Sequence, residues 1–173
     1  MELRSPRPFS FDGFTEFNKG YVAVLESWGI VRGGLNPVAR TNVAPEVNPP
    51  GEPGLYAFSY TVPAAEANRD FVVSGGGELP EGSLNPGDVF RLGDVTAEGI
   101  AAKTEFVMGL MEGRLRGLGR RWADATVTQI YTVHAAPAFT ANPHGGLWHF
   151  TRPPIVTIEY EMDVRGCRSE LVL

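Results

Sequence analysis

Between residues 71 and 134 the hydrophobic pattern changes its period twice. Phe71, Val72 and Val73 place an aromatic before β-branched residues, and Ser74 with three glycines ends the run, which reads as a buried strand. From Ile100 the apolar line continues through Thr104, Val107, Met108, Met111, Leu115 and Leu118. Those steps of three, four or one keep a single face of an α-helix toward a core. Asp94 or Thr96 can cap its start, while Gly117 and Gly119 weaken its end. Residues 126–133 return to β-branched alternation, with Val127, Ile130 and Val133 as anchors. The stretch predicts a strand–helix–strand crossover whose helix packs on one sheet face.

The flanks are read around that βαβ core. Residues 1–13, with Pro6 and Pro8, predict a flexible arm. A helix can begin at Asp12, since Phe14, Phe17, Tyr21, Val24, Leu25 and Trp28 recur at helical spacing before Gly29. They form a stripe too apolar to leave in water, which predicts that 14–28 packs beside helix 96–118. Residues 36–43 predict a short extended piece, and the proline-rich 44–54 a stiff connection. LYAFSYTV (55–62) alternates as a strand and could pair with 71–74 as a hairpin across PAAEANRD. GGELPEGSLNPGDVFRLG predicts an exposed loop of the kind that carries sites, AAPAFTANPHGG a second loop, and 147–151 a short strand. Residues 155–164 alternate most clearly: Val156, Ile158, Tyr160, Met162 and Val164 on one face, Thr157, Glu159, Glu161 and Asp163 on the other. There is no internal repeat.

Composition narrows the class. A chain of 173 residues, 43% hydrophobic and 20% charged, suits one soluble domain with a sizeable core. A net charge of −5 argues against nucleic acid. The arginines within 114–121 are read as complementing a helix C-terminus rather than as an anion site. A single cysteine, Cys167, excludes an internal disulfide and fits a reducing compartment. With no long apolar run and no signal-peptide pattern, no membrane contact and a cytoplasmic location are expected. His134, His144 and His149, without a nearby cysteine, give a weak zinc signal, so no metal is assigned. SGGG lacks the Gly-Lys-Ser/Thr of a phosphate loop, and no serine elbow is present.

AFSYTV, FVVSGG, the amphipathic helix, ADATVTQIYTV and the closing IEYEMDV together resemble the RidA (YjgF) family of enamine/imine deaminases. That family follows its second long strand with a helix bearing F-x-x-x-N-x-x-Y and then P-A-R-S. Both patterns stand here at the N-terminus: Phe14-Thr-Glu-Phe-Asn18-Lys-Gly-Tyr21, and Pro37-Val-Ala-Arg40-Thr41-Asn-Val43. The chain therefore resembles a member whose second helix and arginine segment have moved to the front. The resemblance implies an α+β fold, a mixed β-sheet with two helices on one face as in chorismate mutase. It also implies a homotrimer with sites between subunits, and no cofactor. The 2-aminomuconate deaminases are a plausible neighbour within the family, because muconates carry two carboxylates.

Hydrolysing an imine beside a carboxylate needs a guanidinium for the carboxylate, a carboxyl group tuned for proton transfer, and N–H donors for developing charge. The resemblance assigns Arg40 to the carboxylate and Glu159 to the acid position of the last strand. Glu161 and Asp163 share that face, so Glu161 stays an alternative. Asn18, Tyr21, Thr41, Asn42, Phe58, Ser74 and Gly75 match cleft positions. Tyr21 equally suits the core, Asn42 stands where many members have cysteine, and Trp148, His149 and Arg152 could also line the cleft. The expected activity is hydrolysis of a small enamine or imine acid, such as 2-aminoacrylate or 2-aminomuconate, to the oxo acid and ammonia. A trimeric carboxylate-binding protein without turnover, or a structural domain without a ligand, are the alternatives.

Overall fold

The structure, a computed structural model, describes residues 1–63, 70–137 and 141–169. Its strands are β1 Glu2–Arg4, β2 Thr41–Pro45, β3 Gly54–Ala57, β4 Phe71–Gly77, β5 Val127–Thr132, β6 Leu147–Arg152 and β7 Glu161–Gly166. Its α-helices among these residues are α1 Phe11–Ser27 and α2 Ala97–Gly117. The fold is α+β, and the strands form one mixed sheet in the order β3-β1-β2-β6-β5-β7-β4.

The βαβ core is present, with one strand inserted. β4 and β5 each pair antiparallel with β7, so they run parallel to each other with β7 between. Thr96 caps α2 by accepting from the Gly99 N–H at 3.0 Å, and its own hydroxyl donates to Asp94 at 2.6 Å. Val107, Met111 and Leu115 of α2 then meet Val73, Ile130, Tyr160, Met162 and Val164 of the sheet. Each of these larger side chains is worth roughly 1.5–3 kcal/mol when buried, so this layer is the principal core.

The sheet also curls. β2 and β4 are four strand steps apart in the order, about 19 Å on a flat sheet at 4.8 Å per step. Yet the Gly75 N–H donates to the Arg40 carbonyl at 2.9 Å, and the Arg40 N–H donates to Ser74 Oγ at 3.3 Å. Curling creates a concave face opposite α2. The registers place Glu2, Thr41, Gln129, Tyr131, His149, Glu161, Asp163 and Arg165 on that face.

Several sequence expectations are corrected. Residues 2–4 are not an arm: they form β1 between β2 and β3, with Leu3 buried. Three residues are too few to show a period. α1 is capped by Ser10, whose side chain accepts from the Gly13 N–H, rather than by Asp12. Of the expected apolar stripe only Phe14 and Leu25 are buried, while Val24 and Trp28 are exposed. The two buried positions are eleven residues apart, three turns, so α1 seats a narrow seam. Phe14 packs with Val89, Ile155 and Ile158.

β3 is shorter than 55–62, and it pairs with β1 while β4 pairs with β7, so no hairpin joins them. Residues 64–69 of the expected turn, and 138–140 of the second loop, lie outside the described residues. The last strand begins at Glu161 rather than near Ile155. Before it, Ile155 bridges to Phe9 and the Ile158 N–H turns back to the Ile155 carbonyl. No helix among the described residues is long and apolar enough to cross a membrane.

Gly166 offers a test of the β4–β7 register. A methyl there would lie 2.6 Å from the Asp124 carbonyl oxygen and 2.5 Å from the Phe71 ring. Gly166→Ala is expected to cost roughly 1–3 kcal/mol through overpacking, read as a lower urea midpoint with an unchanged slope. An unchanged midpoint would contradict the register.

Candidate active site

The site is built where three segments meet: the residues entering β2, the glycines of β4 and the start of β7. Arg40 immediately precedes β2, and its backbone is bonded to Ser74 and Gly75 of β4. Its guanidinium lies over the Tyr21 ring at 4.7 Å and the Phe14 ring at 5.4 Å, both from α1. Burial holds the Arg40 pKa below its usual value, with Tyr21 and Glu161 pulling it back up. Among the described residues no carboxylate lies within ion-pair distance of this guanidinium. It remains charged and is covered by rings rather than neutralised.

On the adjoining concave face two acids lie two residues apart in different surroundings. Asp163 is surrounded by donors: Thr41 Oγ1 at 2.9 Å, Tyr131 OH at 2.8 Å and Gln129 Nε2 at 3.3 Å. Burial raises its pKa, and the Tyr131 and Thr41 hydroxyls oppose that. Glu161 is also buried, yet it takes no hydrogen bond from the described residues. Burial pushes Glu161 up to about 8; the charge of Asp163 pushes the same way, and Arg40 and Arg114 pull back. The result is a neutral carboxylic acid beside a charged guanidinium.

The glycines make this approach possible. A methyl on Gly75 would overlap Glu161 Oε1 and lie 3.0 Å from Thr41 Oγ1. Arg114 of α2 secures the same strand from the other side: its Nη1 donates to the Ser74 carbonyl at 2.8 Å and the Gly75 carbonyl at 3.2 Å. Nε and Nη2 of Arg114 are held by Glu81 at 2.6 and 3.0 Å. Arg40, Thr41, Phe58, Ser59, Val72, Asp163 and Arg165 line a narrow cleft here. A wider groove at the end of α1, around Trp28, Ile30, Arg32 and Leu35, has one cation and no acid, so it cannot combine anion binding with proton transfer.

The residues singled out from sequence are thus partly gathered. Arg40, Thr41, Ser74, Gly75, Phe58 and Tyr21 converge. Asn42 alternates with Thr41 onto the opposite face, where the Ser5 hydroxyl donates to it at 3.0 Å. Asn18 keeps a buried Oδ1 without a partner among the described residues. Glu159 precedes the strand and is engaged with His134 Nε2 at 2.7 Å. Trp148 donates to the Thr132 carbonyl at 3.1 Å and Arg152 pairs with Glu46, both on the convex face, whereas His149 stacks on Tyr131 at 5.1 Å. Asp163, Tyr131 and Arg114 were not singled out as site residues. Asp163 lay in the same alternation as Glu161, and Arg114 falls three residues after Met111 on the buried helix face. Among the described residues no group of His, Cys, Asp and Glu side chains could hold a metal ion.

A family model described as 2-aminomuconate deaminase CnbZ matches residues 1–171. A 2-amino-5-chloromuconate deaminase of Comamonas testosteroni is 46% identical over 183 residues, covering 99% of this chain and 73% of that protein. No solved structure matches.

The buried neutral acid has a stability signature. A group whose pKa rises on folding from an ordinary 4.5 to about 8 makes the folded state lose stability as pH rises between those values. Glu161→Gln removes that proton linkage, so its melting temperature is expected to gain on the parent's progressively from pH 4.5 to 8. Melting profiles that stay parallel across this window would show that Glu161 is not held neutral.

Proposed function

The chain belongs to the 2-aminomuconate deaminase CnbZ family, and we propose from that premise that it hydrolyses a small carboxylate-bearing enamine or imine, 2-aminomuconate-like, to the oxo acid and ammonia. The observation that carries the reading is the meeting at Gly75 of the Arg40 backbone, whose carbonyl accepts the Gly75 N–H, and the buried acid of Glu161.

Arg40 receives a substrate carboxylate, its fork unshared with any acid of the described residues and its faces packed on Tyr21 and Phe14. Glu161 enters protonated and gives its proton to the enamine carbon, turning N–C=C into an iminium, C=N⁺. The carboxylate left behind on Glu161 stabilises that cation in the buried site. Water then adds to the iminium carbon while Glu161 takes a proton from it, regenerating the acid. The resulting carbinolamine transfers its hydroxyl proton and expels ammonia, leaving the oxo acid. Enamine plus water gives oxo acid plus ammonia, so the chemistry needs no further co-reactant. Of the two acids read from the last strand, Glu161 suits this role better than Glu159, whose carboxylate is occupied by His134.

The proposed working unit is a homotrimer with sites between subunits. Tyr56 of β3 with Phe58 and Tyr60 just after it, and separately Trp148 and Phe150 of β6, stand exposed, and contact between copies would remove these aromatics from water.

Ammonia release from 2-aminomuconate generated in situ tests the activity. Arg40→Met keeps the packing on the rings but removes the charge. Losing a desolvated guanidinium–carboxylate pair worth roughly 2–5 kcal/mol is expected to lower kcat/KM at least about thirtyfold, with the melting temperature little changed. Ammonia release no faster than buffer alone would overturn the deaminase reading; carboxylate binding without release would move the chain to the binding-protein class. Light scattering at micromolar concentration is expected to give three times the chain mass, and a stable monomer would remove the inter-subunit sites.

A further inference from the structure

Outside the cleft lies a charge pair the reaction does not use. Glu78 follows β4 directly, Lys103 sits nearly two turns into α2, and both side chains are wholly buried. Lys103 Nζ donates to Glu78 Oε1 at 2.8 Å. The same oxygen accepts the Glu159 N–H at 2.7 Å, and Oε2 accepts the Tyr160 N–H at 3.1 Å. One carboxylate therefore holds two consecutive amides of the segment that leads into β7, and the next residue is Glu161. The Glu78 carbonyl also accepts the Phe90 N–H at 2.9 Å, which ties the following loop to the same point.

The geometry points to Glu78, paired with Lys103, as a positioning residue that fixes where Glu161 meets Gly75. This inference rests on the deaminase reading for its kinetic arm only. A buried ion pair adds little net stability, yet breaking one is costly because it strands a charge. Its value here is geometric. Among the described residues the entry to β7 has no partner strand at residues 159–160, so without Glu78 these amides would lose the bonds they make. Tying them to β4 and α2 at once sets the height of Glu161 against Gly75 and Arg40. The Glu78 charge also acts on Glu161 directly, helping to raise its pKa.

The test uses the full-length protein with Glu78→Gln, and with Glu78→Gln combined with Lys103→Met. The double variant strands no ammonium, so it keeps the test alive if the single one fails to fold. A glutamine oxygen cannot serve both amides as the carboxylate does. The hydrogen-exchange protection of the Glu159 and Tyr160 amides is therefore expected to fall in both variants, at least about tenfold. With 2-aminomuconate, kcat per folded molecule is expected to fall about ten- to a hundredfold while KM stays within about twofold, because Arg40 is held by α1 and β4. In Glu78→Gln the alkaline fall of kcat is expected to move to lower pH. Unchanged protection, or unchanged kcat and pH profile in folded variants, would overturn the positioning role. If the parent itself releases no ammonia, the deaminase reading fails alone: the exchange measurement and the pH dependence of melting, whose upper limit reports Glu161 and should shift down in Glu78→Gln, still decide the clamp.

Discussion

Three consecutive residues without side chains set the terms for the rest of the structure. A methyl on Gly75 would overlap the acid of Glu161, one on Gly76 would lie 2.8 Å from Arg114 Nη1 and Met111 Cε, and one on Gly77 would lie 2.5 Å from Ile158 Cγ2. The same short piece of backbone is thus approached by the concave face, by α2 and by the chain entering β7. The register shift between Val73 and Gly76 belongs to this crowding. Each glycine costs roughly 0.5–1 kcal/mol of backbone freedom, which the α2 core outweighs. The approach it permits is what brings an acid, a helix and the Arg40 backbone to one point.

Curling the sheet is the second consequence. With β4 bonded back to Arg40, the face opposite α2 is enclosed, and polar groups that would sit in water on a flat sheet are buried. Enclosure treats two neighbouring acids unequally. Asp163 has three donors that favour its ion; Glu161 has none among the described residues and keeps its proton. Residue type alone would give them the same role, and the surroundings separate them: Asp163 is held by three donors, and Glu161 is left as the proton donor.

What could be read in advance follows from how local each signal is. α2 was legible because its whole length faces one core, and seven periodic positions outweigh any single exception. β1 was not, since three residues carry no period and its partners lie some forty to fifty residues away. Strand partners are missed for the same reason: alternation over 55–62 and the aromatic, β-branched run 71–73 mark strands, but sequence proximity is a weak guide when β1 and β7 offer better-matched edges. The alternation over 155–164 marks Glu161 and Asp163 as one face, while Glu159, read with them, lies before the strand. It could not show that the ladder begins at Glu161, because that depends on the turn at Ile158 and on the Glu78 clamp. Arg40 was marked only by its motif, as no physical periodicity predicts that residue 40 meets residue 75.

The company that Arg40 keeps explains why it, among the arginines near the sheet, suits an anionic ligand. Arg165 and Arg4 are tied to Glu2, Arg114 to Glu81, and Arg152 to Glu46. At each of those guanidiniums an incoming carboxylate would have to compete with a resident one. Arg40 is instead partly desolvated by two aromatic rings, which attract the cation without offering an oxygen to its N–H groups. Partial desolvation strengthens a later ion pair, and the missing acid leaves the fork for the ligand. α1 packs Phe14 on Val89, Ile155 and Ile158 outside the strands rather than beside α2 on the sheet; by carrying Phe14 and Tyr21 on its narrow seam, it sets a charged group at the cleft without neutralising it. That is why an N-terminal helix with so little buried surface belongs to the site as much as to the fold.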